Sequence, residues 1–204
     1  MNLELAILNV SLLWLLTTPH EYAHAWAATR LGDDTPQREG RVTLHPLAHV
    51  DWIGTVLLPA ITSLIGGGFI GWGRPVNTNP SKLRYGMWGL ALVALAGPAS
   101  NVVFAVILGA VVALTASVLP QVAEYCAHGI RLSLYLALFN MLPAPPLDGS
   151  KLLLALQLPR IIYEELARFG FILLIVVFST TGFGVWMTVV SMEWTRQILG
   201  LFGL

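Results

Sequence analysis

Long apolar runs separated by short polar stretches recur from one end of the chain to the other. The first covers residues 3–31 and predicts a helix of about 43 Å, enough to cross a bilayer. Pro19 inside it predicts a kink just before His20, and Gly32 with Asp33 and Asp34 predicts its end. Residues 33–51 are mixed and polar. Residues 52–72 are apolar again, but Pro59 and Gly66–Gly67–Gly68 break them. Residues 73–85, "GRPVNTNPSKLRY", read as extended and loop-like. A long apolar helix is predicted over 86–118, a short connection over 119–127 and another helix over 128–147. An amphipathic, charged stretch over 148–167 and a last apolar helix over 168–191 follow, then a short tail. No internal repeat or low-complexity segment interrupts this order. The first apolar run has no positive flank, its only early charge being Glu4, so it is expected to be mature structure rather than a signal peptide.

Composition turns these helices into membrane candidates. Of the 204 residues 56% are hydrophobic and only 11% charged, against about 25% charged in soluble domains. The expected class is an all-α polytopic membrane protein of one domain, in contact with membrane lipids. The net charge is zero and no basic tract is present, so nucleic acid is not an expected partner. The one cysteine, Cys126, allows no internal disulfide and reads as a small packing residue.

Counting lysine and arginine decides whether 52–72 crosses, because cytoplasmic loops collect these residues. If it crosses, Arg74, Lys82, Arg84, Lys151, Arg160 and Arg168 face Arg30, Arg38, Arg41, Arg131 and Arg196, which is no bias. If it dips in and returns, the first six join Arg30, Arg38 and Arg41 against Arg131 and Arg196 alone. The second arrangement is the ordinary one. It predicts about four full spans plus a re-entrant or partial segment with a short extended or β-hairpin stretch. The amino terminus then lies outside the cytoplasm.

Against this apolar background "TTPHEYAHAWAATRLGDD", residues 17–34, is anomalous. Ionisable groups at bilayer depth cost about 3 kcal/mol or more each unless paired or ligated. His20 and His24 are four apart, so on a helix they share one face and can share one metal. Glu21 lies beside that face. His-Glu-x-x-His is the zinc metalloprotease arrangement, in which zinc lowers the pKa of a water to about 7 and polarises the scissile carbonyl while the glutamate takes a proton. A third ligand is required. The acidic residues near apolar helices are Glu4, Asp51, Glu124, Asp148 and Glu193, and four of them sit near helix ends with little else polar around them. Asp148 follows "NMLPAPPL", where three prolines break a helix that began in the bilayer and can turn a side chain inward. The alternative for Asp148 is a helix cap at the membrane surface. His24 lies seven residues before Leu31, which sets the metal roughly 10 Å below the cytoplasmic surface.

"HEYAH", "AGPASN" and "NMLPAPPLDG", in that order, resemble the site-2 protease family of intramembrane zinc metalloproteases. "GRVTLHPLAHVDWIGTVLLPA" and "GWGRPVNTNP" resemble stretches of its compact bacterial and archaeal members, so the likeness covers about residues 5–157. It implies one zinc ion per chain on His20, His24 and Asp148, with Glu21 as the base, in a prokaryotic plasma membrane. It also matches Asn101 and Asn140 to family asparagines. These buried amides are read either as holding substrate backbone or an oxyanion, or as bonding helix to helix. The implied substrates are single-span membrane proteins such as anti-sigma factors, or remnant signal peptides. The expected member is compact, without a PDZ-like insertion or a cystathionine-synthase-like tail. His45 stands where the family often has asparagine. His45 and His49 are again four apart, which suggests either a second metal site or simple interfacial hydration. Trp52, Trp72 and Trp88 read as interface anchors.

A substrate helix must unwind before it is cut, and the stretch 66–80 is expected to offer it a strand edge, with Phe69, Ile70 and Gly71 as the pairing residues. Thr17, Thr18, His20 and Asn140 are expected to border a water path. The last helix, weakened by Gly170, Gly182 and Gly184, is the expected route for substrate. The competing reading is a catalytically silent binding or scaffold protein with a structural zinc, which would have no use for Glu21. A small transporter is a third, but transporters show repeats or paired broken helices.

Overall fold

The structure, a computed structural model, describes residues 3–65 and 71–204. Among these residues it is helical, with no strand. α1, Leu3–Arg30, continues as helix through Pro19. The helix carries Glu4 in its first turn and Arg30 in its last, each suited to the dipole at that end. It closes where Gly32 takes φ +105° and the Asp33 N–H reaches back to the Ala28 carbonyl.

The excursion that follows is built from short pieces. A single turn α2, Thr35–Arg38, precedes a 3₁₀ turn, Pro46–His49. A π-helical stretch, Trp52–Leu57, then feeds α3, Leu58–Ile65. The Asp51 carboxylate starts it by accepting the Ile53 and Gly54 N–H groups at 3.0 and 2.8 Å. Residues 71–79 are irregular, and a 3₁₀ turn, Pro80–Lys82, leads to α4, Met87–Thr115. The excursion ends where it began, because the Arg84 N–H donates to the Leu31 carbonyl at 2.7 Å. In between it goes deep. The Trp14 indole donates to the Pro46 carbonyl, and Gly71 packs against Leu13 and Pro59. The excursion thus starts and finishes at the same end of α1.

α4 runs antiparallel to α1: Val93 lies beside His24, and Phe104 packs with Leu12, Leu13 and Leu16. α5, Pro120–Asn140, is parallel to α1. Tyr125 bonds Glu4, His128 bonds Asn9, and Leu132 and Leu136 join the Leu13–Leu16 cluster. The predicted connection 119–127 is therefore helix, started by Pro120 in its first turn, and the predicted helix 128–147 stops at Asn140. Polar residues of that first half looked like loop. Their partners on α1 stabilise the helix instead.

The chain after Asn140 turns back through Pro143, Pro145 and Pro146 into α6, Gly149–Ala155. α7, Arg160–Thr180, and α8, Phe183–Gly200, replace the single helix predicted over 168–191 and its tail. They meet at a 79° bend where Gly182 takes φ +67°. Ile198 of α8 closes the main apolar cluster with Ala105, Leu108, Val112, Ile130 and Leu134, against which Cys126 packs. Among the described residues, α4 alone is by itself long and apolar enough to cross a membrane; part of α7 with α8 passes the same test as a bent pair.

Candidate metal centre

His20, Glu21 and His24 lie in the C-terminal half of α1, where helix periodicity puts the two histidines on one face, and all three are buried. The proline turn after α5 returns Asp148 to them, across more than a hundred residues of chain. Asp148 Oδ2 lies 3.1 Å from His20 Nε2 and 3.0 Å from His24 Nε2, and the two imidazole nitrogens are 3.0 Å apart. Asp148 is buried, so it is no cap at a water-facing helix end.

The protonation pattern tests whether a cation fits. His24 Nδ1 is 2.7 Å from the Val93 carbonyl, which can only accept, so Nδ1 carries the proton and Nε2 presents a lone pair. That lone pair faces a carboxylate oxygen and a second imidazole nitrogen. Such a trio in a dry site is electrostatically costly until a cation sits among them. A tetrahedral zinc with bonds of 2.0–2.1 Å spaces its ligand atoms about 3.3 Å apart, close to the spacing here. Two neutral imidazoles and one carboxylate also form a borderline donor set of the kind zinc accepts. The residues fit the ion, and the Val93 carbonyl is the outer partner that metal-ligating histidines habitually have.

α4 seals one side. A Cβ added at Gly97 would lie 2.3 Å from His24 Nε2 and 2.6 Å from His20 Nε2, so only a hydrogen fits there. The segment 71–75 closes another side. The Trp72 N–H donates to the Gly54 carbonyl at 3.0 Å, and the Arg74 N–H to the His49 carbonyl at 2.8 Å. Alternate residues of an extended chain face opposite edges. Gly73 accordingly turns toward α1, where a Cβ would touch the Glu21 carboxylate at 3.4 Å and Thr17 at 3.2 Å. Arg41, itself buried, pins this segment with bonds to the Ala48, Arg74 and Pro75 carbonyls.

The other expected residues fall as follows. Asn101 is 1% exposed, and neither atom of its amide has a partner among the described residues. It is therefore not bonding helix to helix through its side chain, although its backbone carbonyl accepts from Ser133. Asn140 spends its amide N–H on the Leu136 carbonyl of its own helix. Phe69 and Ile70 lie outside the described residues; Gly71 is in the excursion's core beside Leu13. The hydroxyls of Thr17 and Thr18 both bond the Trp14 carbonyl. His45 and His49 form no metal pair: His45 is exposed, whereas His49 is fully buried and donates from Nε2 to the Thr43 carbonyl at 2.7 Å. Interfacial hydration is therefore wrong for His49, which ties one loop together. Sequence reasoning did not single out Gly97, Gly73, Arg41 or the Val93 carbonyl. The glycine in "AGPASN" was the one available sign for Gly97.

Comparison with known proteins identifies the family. Residues 8–130 match the model of Peptidase family M50. "Putative zinc metalloprotease YwhC" of Bacillus subtilis (strain 168) is 36% identical over 173 residues, covering 80% of this chain and 76% of its own. "Putative zinc metalloprotease Rip2" of Mycolicibacterium smegmatis is 33% identical over 142 residues, 67% of this chain and about half (52%) of its own. No solved structure matches. With a buried His-Glu-x-x-His helix, a distant aspartate completing three ligand atoms, and a family match over more than half its length, the chain belongs to peptidase family M50, the site-2 proteases.

Proposed function

We propose that the protein is an intramembrane zinc metalloendopeptidase that cuts single-span membrane proteins within or beside their transmembrane segments. The observation that carries the reading is the burial of Glu21 against a complete three-ligand centre, inside a helix bundle whose outer faces are apolar. Exposed Val102, Val103, Val106, Ile107 and Leu114 on α4, with Ile172, Leu173, Ile175 and Val176 on α7, suit contact with lipid. In this reading α1, α4, α5 and a bent α7–α8 pair cross the bilayer, and the excursion between α1 and α4 re-enters from the cytoplasmic side. The amino terminus lies outside, in a prokaryotic plasma membrane.

One zinc bound by His20, His24 and Asp148 would activate water and polarise the scissile carbonyl. Glu21 takes the proton at its carboxylate and later returns it to the leaving amine. Gly73 leaves room beside that carboxylate. The extended run at 71–75, held by Arg41 and beginning at Gly71, offers backbone for an unwound substrate to pair with. Asn101, whose amide has no partner among the described residues, and Asn140 are the candidate polar contacts for substrate or oxyanion. Anti-sigma factors and remnant signal peptides are the substrate classes that family membership suggests.

The test is cleavage of a panel of single-span substrates by wild type and Glu21→Gln, with zinc measured in both. Loss of cleavage by about 10²–10⁴-fold with zinc retained is expected. Cleavage unchanged in Glu21→Gln would remove Glu21 as the base, and cleavage absent from wild type across the panel would favour a scaffold with a structural zinc.

A further inference from the structure

Asp148 has two carboxylate oxygens, and the structure gives them different work. Oδ2 faces the two histidine nitrogens, while Oδ1 accepts from Lys151 Nζ at 2.8 Å. Lys151 lies three residues on in α6, the spacing that brings two helical side chains side by side. Among the described residues, no other cationic side chain bonds one of the three ligands. Arg41 lies near Glu21 but spends its bonds on backbone carbonyls.

An unrestrained carboxylate can grip a metal through both oxygens or rotate away from it. With Oδ1 held, one oxygen remains for the ion. Two imidazoles and a single oxygen leave the fourth tetrahedral position open, and a catalytic site needs that position. The geometry points to Lys151 as a positioning residue that holds Asp148 as a one-oxygen ligand and so keeps a place for water.

An exposed i,i+3 ion pair contributes little, but here the carboxylate side chain is only 9% exposed and its other oxygen is already committed. An ammonium also repels a dication. The Lys151 side chain is 31% exposed, so solvent and salt screen that repulsion while the hydrogen bond acts locally.

The inference rests on the metal site and not on the nature of the substrate. It is tested in the full-length Glu21→Gln protein in detergent, where no turnover intervenes. Zinc affinity is measured by competition with a chelator, and the visible spectrum of the cobalt(II) form is recorded. Lys151→Met is expected to weaken zinc by about 10–100-fold, as loss of an outer-shell partner does. Its cobalt bands should lose intensity as coordination rises above four. Lys151→Arg, which keeps a donor, should recover affinity to within about threefold. Wild-type affinity and an unchanged cobalt spectrum in Lys151→Met would overturn the assignment. Should that variant fail to fold, Lys151→Ala is read by the same two measurements with the same outcomes. A failure of the peptidase reading would appear in the cleavage panel and leave these affinities untouched.

Discussion

His20 and His24 are four residues apart, and so are His45 and His49, yet the two pairs share nothing but that number. The first pair sits on a continuous α-helix, and both imidazoles turn to one face, with Nε2 atoms 3.0 Å apart. The second straddles the start of a 3₁₀ turn with His45 in extended backbone just before it. One ring points to the exterior and the other into a loop. A spacing of four brings two side chains together only where 3.6 residues make a turn. Even then it makes a metal site only when a third donor arrives, and Asp148 comes to the first pair while a backbone carbonyl comes to His49.

The largest expected contrast comes from removing one histidine of each pair. His24→Ala should abolish zinc binding and cleavage, measured as metal content and product on a gel. His49→Ala should keep zinc at one per chain but lower stability by about 1–3 kcal/mol, because the half-buried Thr43 carbonyl loses its donor and a buried ring is removed. That loss is read by unfolding in detergent. If His49→Ala loses zinc first, the two pairs are more alike than their geometry says.

Next is the wall behind the first pair. Gly97→Ala drives a methyl into both ligand nitrogens, so zinc affinity should fall at least about 100-fold, comparable with losing an outer-shell partner outright. Gly200→Ala, with open space around it, should change neither zinc nor stability by more than about 0.5 kcal/mol. Equal effects at both glycines would remove the case for a steric wall.

The smallest effect concerns the clasp that closes the excursion far from either histidine pair. Burial would raise the Asp33 carboxyl, but hydrogen bonds from Thr35 and from the Asn79 N–H, at 2.6 Å, hold it below the usual range, with Lys82 nearby. A depressed carboxylate stabilises the fold above its unfolded pKa of about 3.9, and that contribution fades as pH falls through the folded value. The midpoint of thermal unfolding should thus drop from about pH 4 downward in wild type, and Asp33→Asn should flatten that slope.

Much of the centre was legible in the chain because ionisable residues in an apolar helix need an explanation. His20, Glu21 and His24 announced themselves, and a proline-broken helix end singled out Asp148 from four other acids. What escaped was whatever depends on a neighbour distant in sequence. Residues 120–127 looked like a connection, since nothing local says that Tyr125 will meet Glu4. The 79° corner at Gly182 was hidden in an apolar run that reads as continuous. Lys151 looked like one more charge on an amphipathic stretch, since nothing local says that its ammonium will bond a buried Asp148.

The Val93 carbonyl that sets the His24 tautomer has a consequence for how this protein can vary. A backbone oxygen is supplied by every amino acid, so no substitution at residue 93 deletes it. It is vulnerable to register instead. Inserting or deleting one residue between Met87 and Val93 would swing that oxygen roughly 100° around the axis of α4, carrying Gly97 away from the ligands in the same movement. The first turns of α4 should therefore tolerate exchange of side chains far more readily than any change in their number.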